Sequence, residues 1–233
     1  MANRVPVQTI SKTSLREQAR NIIRARVITG EIAAGQIYSA PTLAEELGVS
    51  ATPVREAMLD LASEGLVEAV RNTGFRVSVM TDKDLDEILQ LRQLLEVPAM
   101  AALAGHLTPA RLRHFEKAAD QIEAAAETGD LATFLGVDRE FHLGLLQEHP
   151  NKRLVEIIGK LRDQARLTGL PGLAHPGNGF GVSQRERFIE SAKEHRAILR
   201  AVADGRPHDV EKIINRHLVH SRGLWAGREE KGP

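Results

Sequence analysis

"LAEELGVSATPVREAMLDLASEGLV", residues 43–67, is the stretch that decides how this chain folds. It divides at Gly48-Val49-Ser50 into two apolar-striped halves. "TLAEELGV" reads as a short helix with Thr42 as its N-cap. Glu45 stands three residues later, the capping-box spacing, and Gly48 is the stop. In the second half Ser50 or Thr52 caps, and Pro53 falls in the first turn, where its missing N–H is harmless. Val54, Ala57, Met58 and Leu61 then recur at helical spacing, and Gly65 ends the run.

Working outward, residues 14–29 place Leu15, Ala19, Ile22, Ile23 and Val27 on one stripe, closed by Gly30. "GEIAAGQIYSAP" is rich in turn formers and too short for a helix. Downstream, "VEAVRNTGFRVSVM" alternates apolar and polar residues around "RNTG" and reads as a hairpin. Helix, short helix, tight turn, helix, hairpin is the order of a winged helix-turn-helix. In that arrangement the second helix of the pair lies in the DNA major groove, with its N-terminal residues at the base edges. Ser50, Thr52 and Arg55 occupy that end. Arg suits guanine or phosphate, and hydroxyls suit either. The wing offers Arg71, Asn72, Thr73 and Gly74. The alternative is a small packed domain of the same order that binds protein.

The rest of the composition narrows the class. The 233 residues are 42% hydrophobic and 27% charged, as in ordinary globular proteins. No apolar run approaches the roughly 18–20 residues of a membrane span, and the first residues lack an apolar signal core. There is no cysteine, which excludes disulfides and thiolate metal sites and fits a cytoplasmic location. The net charge is zero, but residues 1–30 hold Arg4, Lys12, Arg16, Arg20, Arg24 and Arg26 against Glu17 alone. Such a segment suggests either attraction to a polyanion or a solvated helix face.

From residue 81 no strand pattern appears. "TDKDLDEILQLRQLLEVPAMAALAGHL" is helical with a kink expected at Pro98, and five further helical segments follow. "LPGLAHPGNGFGVS" is a Pro/Gly-rich connection among them. The fold class is therefore mainly α. A winged helix-turn-helix with a small β-wing is expected over 1–79, and an all-helical bundle of six or seven helices over 80–233.

The bundle segments break their own pattern in a recurring way. In "FLGVDREFHLGLL", residues 134–146, Asp138 and His142 lie on the apolar face one turn apart. His195 shares a stripe with Phe188, Ala192, Ile198, Leu199 and Val202. His217 follows Ile213 and Ile214. Each points inward, where an unpaired polar group is costly. A shared divalent ion (Zn first, otherwise Ni, Mn or Fe) satisfies all four, and a salt-linked cluster without metal is the alternative. The remaining histidines fall near helix ends, on polar faces or in loops, except that His220 can support His217 from behind. Arg92 is also inward, on the stripe of Leu85, Ile88, Leu89, Leu95 and Ala99. Its partner is either Glu96 on the next turn or the carboxylate of a ligand. A metalloenzyme is the competing reading. Against it, Glu140 and Glu194 are expected to point away from the stripe, which leaves no general base near the ligands.

Two resemblances join these observations. "LAEELGVSATPVREAMLDLASEGLV" followed by "NTGFRV", within residues 13–79, resembles the DNA-binding domain of the GntR superfamily of bacterial transcription regulators. Ala51 stands where many members have Arg, and Ala40-Pro41-Thr42 where many carry a basic residue, so two possible DNA contacts are missing. "LRQLLEVPAMAALA", "DREFHLGLL", "EHRAILRAVADGR" and the terminal "HL", over residues 81–226, are similar to the FCD ligand-binding domain of the FadR branch. That resemblance implies a divalent metal on Asp138, His142, His195 and His217, with Arg92 holding a small carboxylate effector. It also implies a homodimeric, ligand-responsive regulator on double-stranded operator DNA, most often a repressor, with no enzyme activity and no membrane partner. A regulator responding to metal alone is the alternative.

Overall fold

The computed structural model describes residues 14–167 and 182–225. Much of the connection at 170–183, with His175, lies outside them, as do Arg4 and Lys12.

Three helices and a small sheet form the N-terminal part. α1 (Leu15–Ile28) starts at Ser14, whose hydroxyl accepts the Glu17 amide. α2 (Ala40–Leu47) begins two residues before the expected Thr42 cap: Ser39 is the cap and takes the Thr42 amide, while Pro41 lies in the first turn. Ala40-Pro41-Thr42 is thus the opening turn of a helix, where Pro at N1 or N2 gives up no helical hydrogen bond. Gly48 at φ 66 ends α2. α3 (Ala51–Ser63) follows after the short turn, with Ser50 as N-cap but no cap hydrogen bond from its side chain.

The expected hairpin is β2 (Val67–Val70) paired antiparallel with β3 (Gly74–Val77), and Asn72 takes the left-handed conformation at its tip (φ 59). The segment read as turns alone contributes a strand: β1 (Ile37–Tyr38) pairs with the other edge of β3, giving the order β1-β3-β2. Ala19, Ile23 and Val27 of α1 close over Leu43, Val54, Met58, Leu61, Phe75 and Val77 to make one core.

Six further helices make the second part among the described residues. They are α4 (Asp82–Ala101), α5 (Pro109–Thr128), α6 (Leu131–Leu146), α7 (Lys152–Ala165), α8 (Val182–Ala203) and α9 (Pro207–Trp225). Thr81 and Asp84 form a full capping box at the start of α4. The helix continues through Pro98, which stands on its exposed face. α4 packs on α9, α7 and α6, α5 on α6 and α8, and α8 on α9. This arrangement turns α6, α8 and α9 toward one interior, where Phe115, Phe134, Phe141 and Phe188 are fully buried. No described helix is long and apolar enough to cross a membrane.

Candidate metal centre and DNA-facing surface

Asp138 and His142 of α6, His195 of α8 and His217 of α9 meet in the bundle interior, with exposures of 5%, 0%, 0% and 1%. One ligand atom from each lies within 4.8 Å of all the others. His142 Nε2 is 3.0 Å from His195 Nε2 and 3.1 Å from His217 Nε2. Asp138 Oδ1 is 3.0 Å from His195 Nε2 and 3.7 Å from His142 Nε2. Four ligands around a tetrahedral Zn lie ~3.3 Å apart, given Zn–N of about 2.0–2.1 Å. The four side chains therefore fit a divalent ion in spacing and in chemistry.

The surroundings favour the metal-binding forms of these groups. Glu194 Oε2 accepts from His217 Nδ1 at 2.9 Å, which places that ring's proton on Nδ1 and directs the Nε2 lone pair into the cluster. His220 Nδ1 is 3.4 Å from the same oxygen, the supporting position expected of it. Glu194 itself is buried. Burial raises its pKa, but hydrogen bonds from His217 and His220 outweigh this and hold it well below the usual carboxylate range. His142 is held well below the ordinary histidine value by burial and then by the charge of Arg162. Burial also lowers His217, against the opposing hydrogen bond to Glu194. Neutral imidazole is the form that binds metal. The Nδ1 atoms of His142 and His195 are buried without a hydrogen-bond partner.

Glu194 corrects the expectation that it points away. α8 packs against both α5 and α9, so its buried arc is wide and takes in Ser191, Glu194, His195 and Ile198 together. Glu140 is exposed, as expected.

Arginines surround the cluster. Arg162 and Arg166 of the α7 end both donate to Asp138 Oδ2, Arg162 at 3.3 Å, and Arg162 also donates to Glu96. Burial raises the Asp138 pKa, but Arg166 and His142, with the His195 hydrogen bond, hold the carboxyl well below its ordinary range. Burial lowers Arg166 to about 10, which leaves it charged at neutral pH. These two arginines were not anticipated from sequence. Their signal was present, since Arg162 and Arg166 follow Ile158 at successive four-residue steps on the buried face of α7.

Arg92 lies in the interior, and its Nε donates to Glu96 Oε2 at 3.0 Å. The within-helix partner is thus present, while Arg92 Nη2 is buried with no hydrogen-bond partner. Beside Arg92 is a cavity of about 10 Å³, walled by Leu85, Ile88, Leu89, Ala165, Leu218 and Arg222.

At the opposite end of the chain the expected DNA contacts are open to solvent. Ser50, Thr52, Arg55, Arg71 and Thr73 are exposed. Arg55 and Arg71 form no ion pair with any described residue. Gly74 differs from the rest. At φ 153 it faces β1, and a Cβ there would stand 2.4 Å from the Tyr38 carbonyl, so the sheet itself demands glycine. The basic leading segment is less available than its charge suggests. Arg16 pairs with Asp60, Arg24 with Glu64 and Asp163, and Arg26 with Glu31 and Glu46.

Comparisons with known proteins agree with both parts. Residues 15–77 match the family of bacterial regulatory proteins of the gntR family, and residues 87–220 match the FCD domain. An uncharacterized HTH-type transcriptional regulator in an unstable DNA locus of Streptomyces ambofaciens is 30% identical, over 93% of this chain and 93% of its own length. A probable D-xylose utilization operon transcriptional repressor of Paenarthrobacter nicotinovorans is 28% identical, over 90% of this chain and 88% of its own. The solved structure of E. coli McbR/YncC superposes with a TM-score of 0.78 at 26% identity, covering 89% of this chain and 94% of that one. These relatives are transcription regulators rather than enzymes. A winged helix-turn-helix followed by an all-helical bundle, matched in order by both domain families, makes this chain a member of the GntR family of bacterial transcription regulators with a C-terminal FCD domain.

Proposed function

We propose that the chain is an operator-binding repressor that works as a homodimer and reads a divalent cation together with a small organic acid. Residues 1–79 would bind DNA through Ser50, Thr52 and Arg55 of α3 and through Arg71, Thr73 and Gly74 of the wing. Two copies match two half-sites. Repression is favoured because a relative of similar length, the Paenarthrobacter protein, carries that description. Residues 80–233 would hold the cation on Asp138, His142, His195 and His217, with zinc the first choice for three imidazoles and a carboxylate. The observation that carries this reading is the convergence of three Nε2 atoms and Asp138 Oδ1, with Glu194 fixing the tautomer of His217. The cation would supply positive charge for an effector carboxylate, and Arg92 Nη2 has the unused donor to receive one.

A regulator responding to metal alone is the second reading. It is favoured by Glu96, which already takes Arg92 Nε, and by the cavity beside Arg92, whose 10 Å³ holds at most one water.

The test is metal analysis of the purified protein, with operator binding measured before and after chelation and with candidate acids. About one divalent ion per chain and an operator affinity that changes on chelation are expected. An acid that shifts that affinity only with metal present eliminates the metal-only reading. Absence of binding to any promoter duplex at low salt overturns the regulator reading at its base.

A further inference from the structure

The end of α7 touches two places at once. Arg162 and Arg166 reach inward to Asp138. The positions between and after them face the winged part. Asp163, 2% exposed, lies 3.3 Å from Arg24 Nε and accepts from Arg139 at 2.7 and 2.9 Å. Arg24, from α1, also holds Glu64. Gln164 Nε2 donates to the Glu64 carbonyl at 2.8 Å, and Glu64 is the C-cap of α3. The approach is close: a Cβ on Gly65 would stand 2.4 Å from Gln164 Nε2. The cores are exchanged as well. Leu167, just past α7, belongs to the core of the winged part, and Ile28, the last residue of α1, belongs to the core of the bundle.

The 3.6-residue period produces this division. Residues 162 and 166 share one side of the helix, while 163, 164 and 167 lie around from it. A single packed turn shifts as a unit, because close-packed surfaces move between discrete arrangements. Asp138 is the point where the interior can act on it. Its Oδ2 receives both guanidinium groups, and its Oδ1 faces His195 at 3.0 Å. Charge drawn toward Oδ1 weakens the attraction at Oδ2, and a nearby cation also repels both guanidinium groups.

We propose that the terminal turn of α7 couples the carboxylate–histidine cluster to the recognition helix. Cation binding at Asp138 relaxes the grip on Arg162 and Arg166. The turn moves, and the movement is delivered to α3 through Gln164 on Glu64 and through Asp163 on Arg24. This rests on the cation reading given above, and it adds the route by which the same site reaches DNA.

Hydrogen exchange of the full chain, with and without zinc ion alone, tests the route. Zinc binding is followed separately by calorimetry. In the wild type, zinc is expected to change exchange severalfold at amides 161–167 and at 64–66. In Gln164→Ala, zinc binds as before and 161–163 still respond, but the response at 64–66 is diminished, since only the Asp163–Arg24–Glu64 strut remains. The ratio of operator affinities with and without zinc then falls by about 2- to 10-fold, the worth of one hydrogen bond. Arg24→Gln, which cuts the second strut, serves if Gln164→Ala does not fold. Zinc that binds and leaves 161–167 and 64–66 unchanged overturns the coupling while the cation reading stands. An undiminished response in both variants also overturns it. Zinc that does not bind removes both.

Discussion

Arg55 and Arg162 are the same side chain on two helices of one chain. Arg55 stands exposed on α3, and no described residue pairs with it. Arg162 is 4% exposed on α7 and is held by Glu96 and Asp138. The two surroundings imply different consequences of substitution. An exposed guanidinium contributes little to folding and is available to a phosphate or a base. A buried one is tied to its carboxylates, and removing either partner leaves an uncompensated charge in a medium of low polarity. The winged part therefore keeps its proposed DNA contacts outside its fold, whereas the bundle builds its candidate site out of groups the fold depends on.

Asp138→Ala should break that contrast most severely if it is wrong. Without the carboxylate, Arg166 loses its buried ion pair, and among the described residues Arg162 is left with Glu96 as its carboxylate. Metal-free protein is expected to lose roughly 3–5 kcal/mol in a urea titration, the usual cost of breaking a buried pair. A loss under about 1 kcal/mol, within the range of exposed pairs, would show that these arginines behave like surface ones. The converse substitution, Arg55→Ala, should leave the unfolding midpoint in place. It should weaken operator binding by about 1–3 kcal/mol, the range for an arginine that reads a base. A shift in the midpoint with operator affinity intact would remove α3 from the DNA-facing role.

The sequence was legible where a local rule operates and opaque where a partner decides. The α3 stripe, the long helical run after residue 81 and the hairpin around "RNTG" are short-range patterns, and the structure contains all three. β1 is two residues long, and its existence depends on the edge of β3 lying alongside, which no pattern in "QIYS" records. The start of α2 moved from Thr42 to Ser39 because two hydroxyls compete for one cap, and Pro41 is tolerated in the first turn. Inside the bundle, Asp138, His142, His195 and His217 each appeared as a polar fault on an apolar stripe, and they do meet. Glu194 is inward although it lies off the main apolar stripe, because α8 buries two adjoining faces. Arg162 and Arg166 repeat on α7 the polar fault seen at Arg92, but the sequence alone does not single them out. Long cationic side chains on a face are ordinarily solvated, and only the packing against α6 shows that these are not.

Arg16→Ala gives the smallest expected effect and the finest test of the comparison. Arg16 is exposed like Arg55, yet it is paired like Arg162: its side chain is 49% accessible and it grips Asp60 across α1 and α3. If exposure governs, the pair contributes little to stability, because solvent screens it. If pairing governs availability to DNA, operator affinity stays unchanged, since the guanidinium is already engaged by a carboxylate. Both are expected together: an unfolding midpoint that barely moves in a urea titration and no change in operator affinity at fixed salt. Suppose instead that affinity falls as far as in Arg55→Ala, with a smaller salt slope. Arg16 would then leave Asp60 for a phosphate, and the basic leading segment would contact DNA after all. The contrast between the two parts would then be set by exposure alone, with internal ion pairs no guide to which cations are free to bind.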